Sequence, residues 1–397
     1  MTDLRIREER TFSDLMRIAI DLTATPKSKT GIGRYMLGLL KGLQETDDTN
    51  EYYLFAQDDD LDGFGIYKDN FHFVPVRSSL MRKTYLRIVW EQMVFPFRLK
   101  KLKIDLLHCP NYTMPYTLRL VSPKTAVQGT FHDMTYFIHP EYLIGWKCRM
   151  FQRYIKKTAK RADKILTISE NSKKDIPDFC DLRNPDIAVT YMGVKEAFFD
   201  SEPATDEILS KYGIEGEYML YVGTLEPRKN IPGLIRGYKA LPKEIRDRYK
   251  LVITGKKGWY YDEIFDLVSS DEELKERVIF TGFVDDQDMM PIMKRAKVFA
   301  YISFYEGFGI PVIEGMASSV PTVTSCGSSL EEVAGDCCYL CDPKDVQSIA
   351  SALEAASVNR DDTIERALLR AKGFSWKNCA EATLRSYEDA VRFKREA

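Results

Sequence analysis

The sequence lacks an excess of charge of either sign, and it lacks long apolar runs. Its 57 lysine and arginine residues are nearly balanced by 59 aspartate and glutamate residues, which leaves a formal net charge of −2. Because a chain this close to neutral has no overall field that attracts nucleic acid, we expect no nucleic-acid partner. No apolar run reaches the roughly 20 residues that span a bilayer. The mixed-charge residues 1–10 have no apolar core of a signal peptide, so we expect a cytoplasmic protein.

Histidine is scarce, with 4 residues in 397, and this limits the metal sites that the chain can build. The 8 cysteines stand in a chain with no predicted export signal, so we expect reduced thiols and no disulfide framework. Cys337, Cys338 and Cys341 are closely spaced, but no second cysteine or histidine group with zinc spacing accompanies them. The acidic run at 58–60 is predicted to be a loop. The sequence therefore predicts no metal site and no cofactor.

What the sequence does contain is an alternation of strand and helix patterns along most of its length. Its 397 residues exceed the roughly 250–300 at which single cores stop growing, so we expect two or three domains. Strands that alternate with helices in both halves predict an α/β protein with two doubly wound sheets. We predict a poorly ordered extension at 1–15, an N-terminal domain at 16–200 and a C-terminal domain at 201–375. A final helix at 376–397 is predicted to cross back onto the first domain.

The most informative stretch runs from a predicted buried strand into a glycine-containing loop and a helix. Gly307 and Gly309 allow a ligand to approach the backbone closely, and Pro311 suits the first helical position. Free N–H groups at a helix start favour a phosphate. Two carboxylates flank this predicted pocket, Glu306 at the end of the strand and Glu314 in the first turn of the helix. Taken alone, they are more simply a solvated loop charge and a carboxylate that stabilises the helix dipole.

A second turn of phosphate-binding type lies near the N-terminus. A strand that starts at Arg17 is followed by Gly31 and Gly33 and then by an amphipathic helix, which outlines a βα phosphate-binding unit. The third glycine of the dinucleotide fingerprint is missing, so we predict no nicotinamide site. His132 follows another predicted strand and has Asp133 beside it. It is a candidate for the site, although a single histidine is as often structural.

Two stretches combine basic residues with apolar and aromatic ones. Residues 77–103 hold 8 basic residues and a single acidic one, Glu91, and residues 142–161 hold 7 basic residues together with Trp146. Basic amphipathic helices with aromatic members can lie on anionic membrane surfaces, here the inner face of the cell membrane. Such helices can equally pack their apolar faces on a sheet, as ordinary surface helices do. The sequence leaves both interpretations open.

Together these motifs resemble those of the family-4 glycosyltransferases, which are retaining enzymes of the GT-B fold that use nucleotide-sugar donors. The resemblance covers residues 17–387, and its specificity lies in the order and spacing of the motifs. It implies two Rossmann-like domains that face an interdomain cleft, with the acceptor on the N-terminal side and the nucleotide sugar on the C-terminal side. The motifs that carry it are Gly31-Ile-Gly-Arg-Tyr35, Phe131-His-Asp133, Gly223-Thr-Leu-Glu-Pro-Arg-Lys-Asn230, Thr281-Gly-Phe-Val284, the Glu306 to Glu314 pair and Phe374-Ser-Trp376.

The resemblance also implies roles for single residues. Arg228 and Lys229 are implied to bind the donor diphosphate, and two cations can neutralise such a leaving group. As plain surface charges they would oppose the dipole of the helix that they precede, a conflict that an anion between them removes. Glu306 is implied to accept hydrogen bonds from the sugar hydroxyls, Glu314 to accept them from the ribose, and His132 to lie near the transferred sugar. The implied catalytic group is His132, Glu306, Arg228 and Lys229.

Most of the other implied contacts to the donor involve the backbone. The turn that holds Phe283 and Val284 is implied to border the base. Gly31 and Gly33 are implied to face the diphosphate from the first domain. The segment implied to lie along the sugar and phosphates is Gly307, Phe308, Gly309 and Ile310.

The implied mechanism is retention of configuration without an enzyme nucleophile and without a metal. The leaving diphosphate accepts the proton of the acceptor on the same face, while the protein positions the substrates and stabilises the diphosphate. The motifs look most similar to bacterial mannosyltransferases of polysaccharide and O-antigen assembly, which favours GDP-mannose over UDP-glucose or a deoxysugar donor. The acceptor is left open among a lipid-linked saccharide, a growing glycan and a small molecule. A GT-B nucleotide-sugar epimerase or a non-catalytic sugar-nucleotide binder is the competing class.

Overall fold

The first half of the chain folds around a seven-stranded parallel sheet. The structure, a computed structural model, describes residues 15–25, 31–143, 145–358 and 362–396, so the predicted extension at 1–15 lies outside the described residues except for residue 15. The strands are β1 Arg17–Asp21, β2 Glu51–Gln57, β3 Phe71–Val76, β4 Leu106–Cys109, β5 Ala126–Phe131, β6 Lys164–Thr167 and β7 Ile187–Val189. Their order in the sheet is β3-β2-β1-β4-β5-β6-β7, and every neighbouring pair is parallel.

Helices cover this sheet because their apolar residues recur every three to four positions. The first helix buries Tyr35, Leu39 and Leu43 in this way, and such a stripe packs on a sheet. The helices are α1 Ile32–Thr46, α2 Ser78–Met81, α3 Thr84–Met93, α4 Phe95–Lys101, α5 Leu118–Val121, α6 Thr135–Ile138, α7 Gly145–Ala159, α8 Glu170–Cys180 and α9 Ala197–Asp200, with 3₁₀ turns at Asp62–Phe64 and Pro140–Tyr142.

The second half repeats this architecture on a six-stranded parallel sheet. Strands such as Val298–Tyr301 are buried on both faces, as parallel sheets between helices require. The strands are β8 Glu217–Val222, β9 Tyr249–Thr254, β10 Val278–Gly282, β11 Val298–Tyr301, β12 Thr322–Ser325 and β13 Tyr339–Cys341. Their order is β10-β9-β8-β11-β12-β13. Strand β13, which buries Cys341, was not predicted, since a three-residue strand has too few residues to show a pattern.

The helices of the second half lie on both faces of this sheet. They are α10 Asp206–Lys211, α11 Ile231–Lys239, α12 Lys243–Arg248, α13 Asp262–Ser269, α14 Glu272–Arg277, α15 Asp286–Arg295, α16 Ile310–Ala317, α17 Ser329–Ala334, α18 Val346–Val358 and α19 Thr363–Lys372, with a 3₁₀ turn at Pro227–Lys229. Among the residues that the structure describes, no helix is long and apolar enough to cross a membrane.

The last helix, α20 (Trp376–Glu396), lies on the first domain. It comes so close to α1 that a Cβ on Gly42 would lie 2.2 Å from the carbonyl oxygen of Trp376. Tyr387 of α20 hydrogen-bonds His108 Nδ1 at 2.7 Å, and Thr130 hydrogen-bonds His108 Nε2 at 2.7 Å. All three side chains are buried, so these polar contacts join the end of the chain to the core of the first sheet.

The topology determines where a ligand can bind. In the first sheet the strand order reverses between β1 and β4, and in the second it reverses between β8 and β11. Open α/β sheets bind ligands outside the carboxyl ends of their strands at such switch points. The loops that follow β5, β8 and β11 leave these edges and carry the residues described next.

Candidate active site

The loop after β11 forms the centre of the site and lies directly against the first domain. A Cβ on Gly307 would meet the carbonyl oxygen of His132 at 2.2 Å, so only glycine fits here. The Ser329 hydroxyl, at the start of α17, donates to the carbonyl oxygens of Glu306 at 2.6 Å and Phe308 at 3.2 Å. The loop is therefore held by its own domain while its backbone touches the other.

One detail of the prediction for this loop is wrong. Helix α16 begins at Ile310, with Gly309 at a φ of 109° before it and Pro311 as the second residue. Glu314 is consequently the fifth residue of the helix, and no acidic residue lies in the first turn. The helix starts directly after the left-handed glycine, so Glu314 does not stabilise the N-terminal dipole. It is instead buried, with 5% of its surface exposed.

Glu306 lies at the centre of a buried cluster of charges. Its Oε1 accepts hydrogen bonds from Lys229 Nζ at 2.6 Å and from the Tyr301 hydroxyl at 3.0 Å. Its Oε2 accepts one from Arg228 Nη1 at 2.6 Å. The other terminal nitrogen of Arg228, Nη2, donates to Glu226 Oε1 at 2.9 Å. The buried Lys229 and the half-buried Arg228 thus compensate two buried carboxylates at the carboxyl edge of β8 and β11.

The electrostatics of the cluster follow from these contacts. Burial pushes the pKa of Glu306 upward, but Arg228 and Lys229 outweigh it and hold that pKa at about 2. Burial and the neighbouring Arg228 lower the pKa of Lys229, against the opposing effect of Glu306 and Glu226. Because the carboxylate stays ionised, it can accept hydrogen bonds from sugar hydroxyls at any physiological pH.

The sequence predicted an anion between Arg228 and Lys229, and the structure shows which groups compensate them. The two cations end a 3₁₀ turn, Pro227–Lys229, and precede α11. Their anionic partners are Glu306 and Glu226, which belong to the same domain. The sequence motifs assign the two cations to the diphosphate and Glu306 to the sugar as separate contacts. In the structure, ion pairs connect both cations to Glu306.

Glu314 lies apart from this cluster and has a different partner. Its Oε1 forms an ion pair across the cleft with Arg34 Nη1 at 3.1 Å. Arg34 is the third residue of α1, which begins at Ile32. Burial raises the pKa of Glu314, while Arg34 and Lys195 act in the opposite direction. Arg34 stands inside a motif quoted from the sequence, yet the sequence did not single it out.

The first domain contributes His132 to the cleft. His132 Nε2 donates to the carbonyl oxygen of Pro110 at 2.8 Å, so in the neutral ring Nε2 carries the proton and Nδ1 is an acceptor. Burial lowers the pKa of His132, which favours that neutral form. The ring of Tyr35 packs edge-on against it with centroids 5.0 Å apart. Gly31 adopts a φ of 52° at the N-cap of α1, and Gly33 is buried in its first turn.

The remaining predicted contacts differ in exposure. Phe283 is 55% exposed and lies under Lys256 Nζ, 4.3 Å from the ring centroid, whereas Val284 is buried. Phe308 is buried, and its side chain stacks on Tyr191 with centroids 6.0 Å apart, so this side chain packs within the protein. Ile310 is half-buried at the start of α16. Phe283 therefore has the most exposed side chain of these predicted contacts.

Further contacts across the cleft were not predicted. The Tyr305 hydroxyl donates to Asp175 Oδ2 at 2.7 Å. The carboxylate of Glu332 accepts from the backbone N–H groups of Glu170 and Asn171, both at 2.8 Å, at the N-terminus of α8. The domains are therefore closed on one another. Tyr305 directly precedes Glu306, which could have drawn attention to it, but no local pattern marks Asp175 or Glu332.

Two Rossmann-like sheets whose strand ends face one cleft, with compensated buried charges in it, define the GT-B class of glycosyltransferases. Residues 29–198 match the model of Glycosyltransferase Family 4, and residues 205–372 match that of Glycosyl transferases group 1. The chain is 33% identical over 372 residues to O-antigen chain mannosyltransferase B of Escherichia coli, a match that covers 90% of this chain and 96% of that protein. It belongs to the family-4 glycosyltransferases, as the motifs predicted.

Two more comparisons place the chain among its relatives. It is 30% identical over 300 residues to the serotype-specific mannosyltransferase WbdA of Escherichia coli, over 73% of this chain but only 36% of that longer protein. The crystal structure of a glycosyltransferase from Rickettsia africae matches with a TM-score of 0.73 at 15% identity, covering 96% of this chain and 99% of that one. This structural match shows the fold, and the predicted GT-B architecture is confirmed.

Proposed function

We propose that this protein is a retaining, metal-independent glycosyltransferase that moves mannose from GDP-mannose onto a glycan or lipid-linked saccharide. The observation that carries this proposal is the buried cluster of Glu306, Arg228 and Lys229 at the carboxyl edge of the second sheet. Ionisable groups with shifted pKa values that lie at a switch point indicate a functional site. The relatives named O-antigen chain mannosyltransferase support mannose as the sugar and O-antigen assembly as the setting.

In this proposal each residue has a defined role. Arg228 and Lys229, which pair with Glu306, also interact with the diphosphate as its bond to the sugar breaks. Their positive charges stabilise this leaving group. Glu306 accepts hydrogen bonds from the sugar hydroxyls, and His132 Nδ1 accepts one more. The acceptor oxygen forms the new bond on the face that the diphosphate leaves, and a diphosphate oxygen takes its proton. The protein then supplies positioning and charge but no nucleophile.

A test of the donor begins with binding and ends with product analysis. Thermal unfolding is measured with GDP, UDP, dTDP and ADP, because a ligand at 100 times its dissociation constant adds about 2.7 kcal/mol of stability. We expect GDP to raise the melting temperature most. A larger shift with UDP or dTDP would instead support a UDP-glucose or deoxysugar donor.

Product analysis separates the proposed enzyme from its competitors. GDP-mannose is incubated with and without a mannose-terminated glycan, and the products are identified by mass spectrometry. We expect transfer only with the glycan and an unchanged rate in EDTA, since cations and N–H groups meet the diphosphate. An altered sugar nucleotide from donor alone would indicate an epimerase. Loss of transfer in EDTA that magnesium restores would contradict the metal-independent site.

The proposal also includes contact with a membrane that carries a lipid-linked acceptor. Tyr85, Met93 and Phe97 on α3 and α4 and Trp146 on α7 are each at least 60% exposed. Helix α7 also presents a cavity of about 440 Å³ that is lined by Trp146, Arg149, Met150, Arg153, Tyr154 and Lys157. Glu91, the single acidic residue of segment 77–103, is buried, so the outer surface of that segment is basic. Exposed aromatic and basic side chains together suit an anionic lipid surface.

Vesicle sedimentation tests this contact directly. The protein is mixed with phosphatidylglycerol-containing vesicles and with neutral phosphatidylcholine vesicles at low salt. We expect binding to the anionic vesicles that weakens as salt rises, because exposed charges are screened over roughly 8–10 Å. Trp146→Ser should reduce binding, while Leu369→Ser, which changes an even more exposed apolar residue of the second domain, should not. Equal behaviour of the two variants would contradict the assignment of this surface.

A further inference from the structure

Arg34 is placed where its helix does not favour it. It lies in the first turn of α1, and a cation there opposes the dipole of the helix. Its guanidinium reaches out of its own domain to the buried carboxylate of Glu314, 280 positions further along the chain, at 3.1 Å. The side chain of Arg34 is 37% exposed and that of Glu314 is 6% exposed. The carboxylate is thus the buried partner of the ion pair, and its positively charged partner comes from the opposite side of the cleft.

The other charged groups around Glu314 come from two more elements. Lys195, in the segment after β7, favours the ionised carboxylate, and Asp286 at the start of α15 disfavours it. These two residues also form an exposed ion pair with each other at 3.2 Å, so their effects on Glu314 partly cancel. Burial is the main cause that raises the pKa of Glu314, and Arg34 is the main group that opposes it. The main group that favours the ionised form of Glu314 therefore belongs to the opposite domain.

We propose that Arg34 is a positioning residue for the donor, which keeps Glu314 ionised and oriented to accept hydrogen bonds from the ribose hydroxyls. The inference rests on the proposed function, in which Glu314 binds that ribose. An ionised carboxylate offers only acceptors, whereas a protonated one must donate through one oxygen. Because Arg34 and Glu314 belong to different domains, the nucleotide site is complete only when the cleft is closed as it is here.

A double-mutant cycle separates an action through Glu314 from direct contact with the nucleotide. Calorimetry measures GDP binding to the wild type, Arg34→Ala, Glu314→Gln and the double variant. We expect Arg34→Ala to weaken GDP about ten- to hundredfold, the range for a hydrogen bond to a charged group. In the Glu314→Gln background the same change should cost little, because no carboxylate remains to be ionised. An equal loss in both backgrounds, or no loss in either, would overturn the proposal.

The pH dependence supplies a readout that a merely structural role would not change. In Arg34→Ala the pKa of Glu314 should rise further, so GDP binding should be weakest at low pH and should recover as the pH is raised. The Glu314→Gln variant should show no such recovery, and Arg34→Lys should retain part of the wild-type affinity. A weakened Arg34→Ala whose affinity is independent of pH would contradict the proposed role.

Controls distinguish this inference from unfolding and from failure of the proposed donor. Trp259→Phe removes another hydrogen bond between the domains, from Nε1 to the Tyr142 carbonyl at 2.8 Å, and should leave GDP binding and its pH dependence unchanged. If Arg34→Ala does not fold, Arg34→Lys carries the cycle. A wild type that binds UDP and not GDP would overturn the proposed donor, and the cycle would be measured with UDP. A wild type that binds no nucleoside diphosphate would overturn both proposals.

Discussion

Glu306 and Glu314 are two buried carboxylates of one loop and helix, yet their environments are opposite. Glu306 is bound by Arg228 and Lys229 of its own domain, and its pKa is lowered to about 2. Glu314 is bound by Arg34 of the other domain, and its pKa is raised. Burial raises the pKa in both cases, so the number and distance of the cations decide the outcome. The first carboxylate is prepared within one domain, while the second depends on domain closure.

The largest effect is expected for Glu306→Gln. The amide leaves the buried Lys229 and the half-buried Arg228 without their main anion, and breaking a buried ion pair typically costs about 3–5 kcal/mol. We expect a lower melting temperature and at least roughly a hundredfold loss of transfer, because the sugar also loses its ionised acceptor. Free GDP should bind at least as tightly as to the wild type, since both cations become available to the diphosphate.

Calorimetry with GDP and transfer assays with GDP-mannose check this expectation in one preparation. Glu332→Gln is the matched control, because it changes a cleft carboxylate outside the cluster. Full transfer activity in Glu306→Gln would contradict the role assigned to Glu306 and its difference from Glu314.

Removal of either cation should have the next largest effect. We expect Arg228→Ala and Lys229→Ala each to weaken GDP ten- to hundredfold and to lower transfer, because the leaving diphosphate loses a charged partner. Arg236→Ala, on the exposed face of α11, serves as the control and should do neither. Unchanged GDP affinity in both cluster variants, measured by calorimetry, would exclude the assigned diphosphate site.

Glu314→Gln should weaken the binding of the nucleotide part of the donor and leave the contacts to its sugar unchanged. We expect free GDP and GDP-mannose to bind about ten- to hundredfold more weakly, and by the same factor, because both ligands carry the ribose. The ratio of the two affinities is therefore the informative measurement, and a folded protein must give both values. If this variant and Glu306→Gln lose GDP equally, the division of roles between the two glutamates is wrong.

The smallest effect is the pH dependence of stability. Glu306 has a folded pKa of about 2, below its ordinary value of 4.5, so its contribution is present above pH 4.5 and lost as the pH falls toward 2. Glu314 has a raised pKa, so its contribution is present below pH 4.5 and lost as the pH rises through the folded pKa.

Thermal unfolding at a series of pH values compares the two replacements. The destabilisation caused by Glu306→Gln should shrink as the pH is lowered from 4.5 to 3. Glu314→Gln should become more stable relative to the wild type as the pH is raised above 4.5. The same trend in both variants would show that the two carboxylates do not differ in the way described.

Several residues of the candidate site could be found from the sequence because short motifs place them. Arg228, Lys229 and Glu226 stand in one segment after a strand, and Glu306 follows another strand of the same sheet. Parallel strands end at the same edge, so these residues lie along one edge wherever the sheet forms. The contact of the two cations with Glu306 could not be predicted, because it depends on which neighbours β8 and β11 have in the sheet.

Contacts between the domains had no comparable signal. Arg34 and Glu314 are separated by 280 positions, and Glu332 reaches the start of α8 over a separation of 162 and 161 positions. No periodicity or turn chemistry links residues so far apart. The position of Glu314 within α16 was also predicted one residue too early, because Pro311 was assigned to the first helical position and is the second.

The sequence by itself determined the two parallel sheets and the glycine loops, because these depend on local periodicity and on backbone conformations that few residues adopt. The tertiary structure alone decided that Arg34 faces Glu314 and that Gly307 touches His132. It also decided that the pKa of Glu306 is lowered while that of Glu314 is raised. The physical reason is that the free energy of a buried charge depends on every group within a few ångströms. Those groups come from distant parts of the chain. The second sheet brings them together around Glu306, and the closed pair of domains brings them together around Glu314.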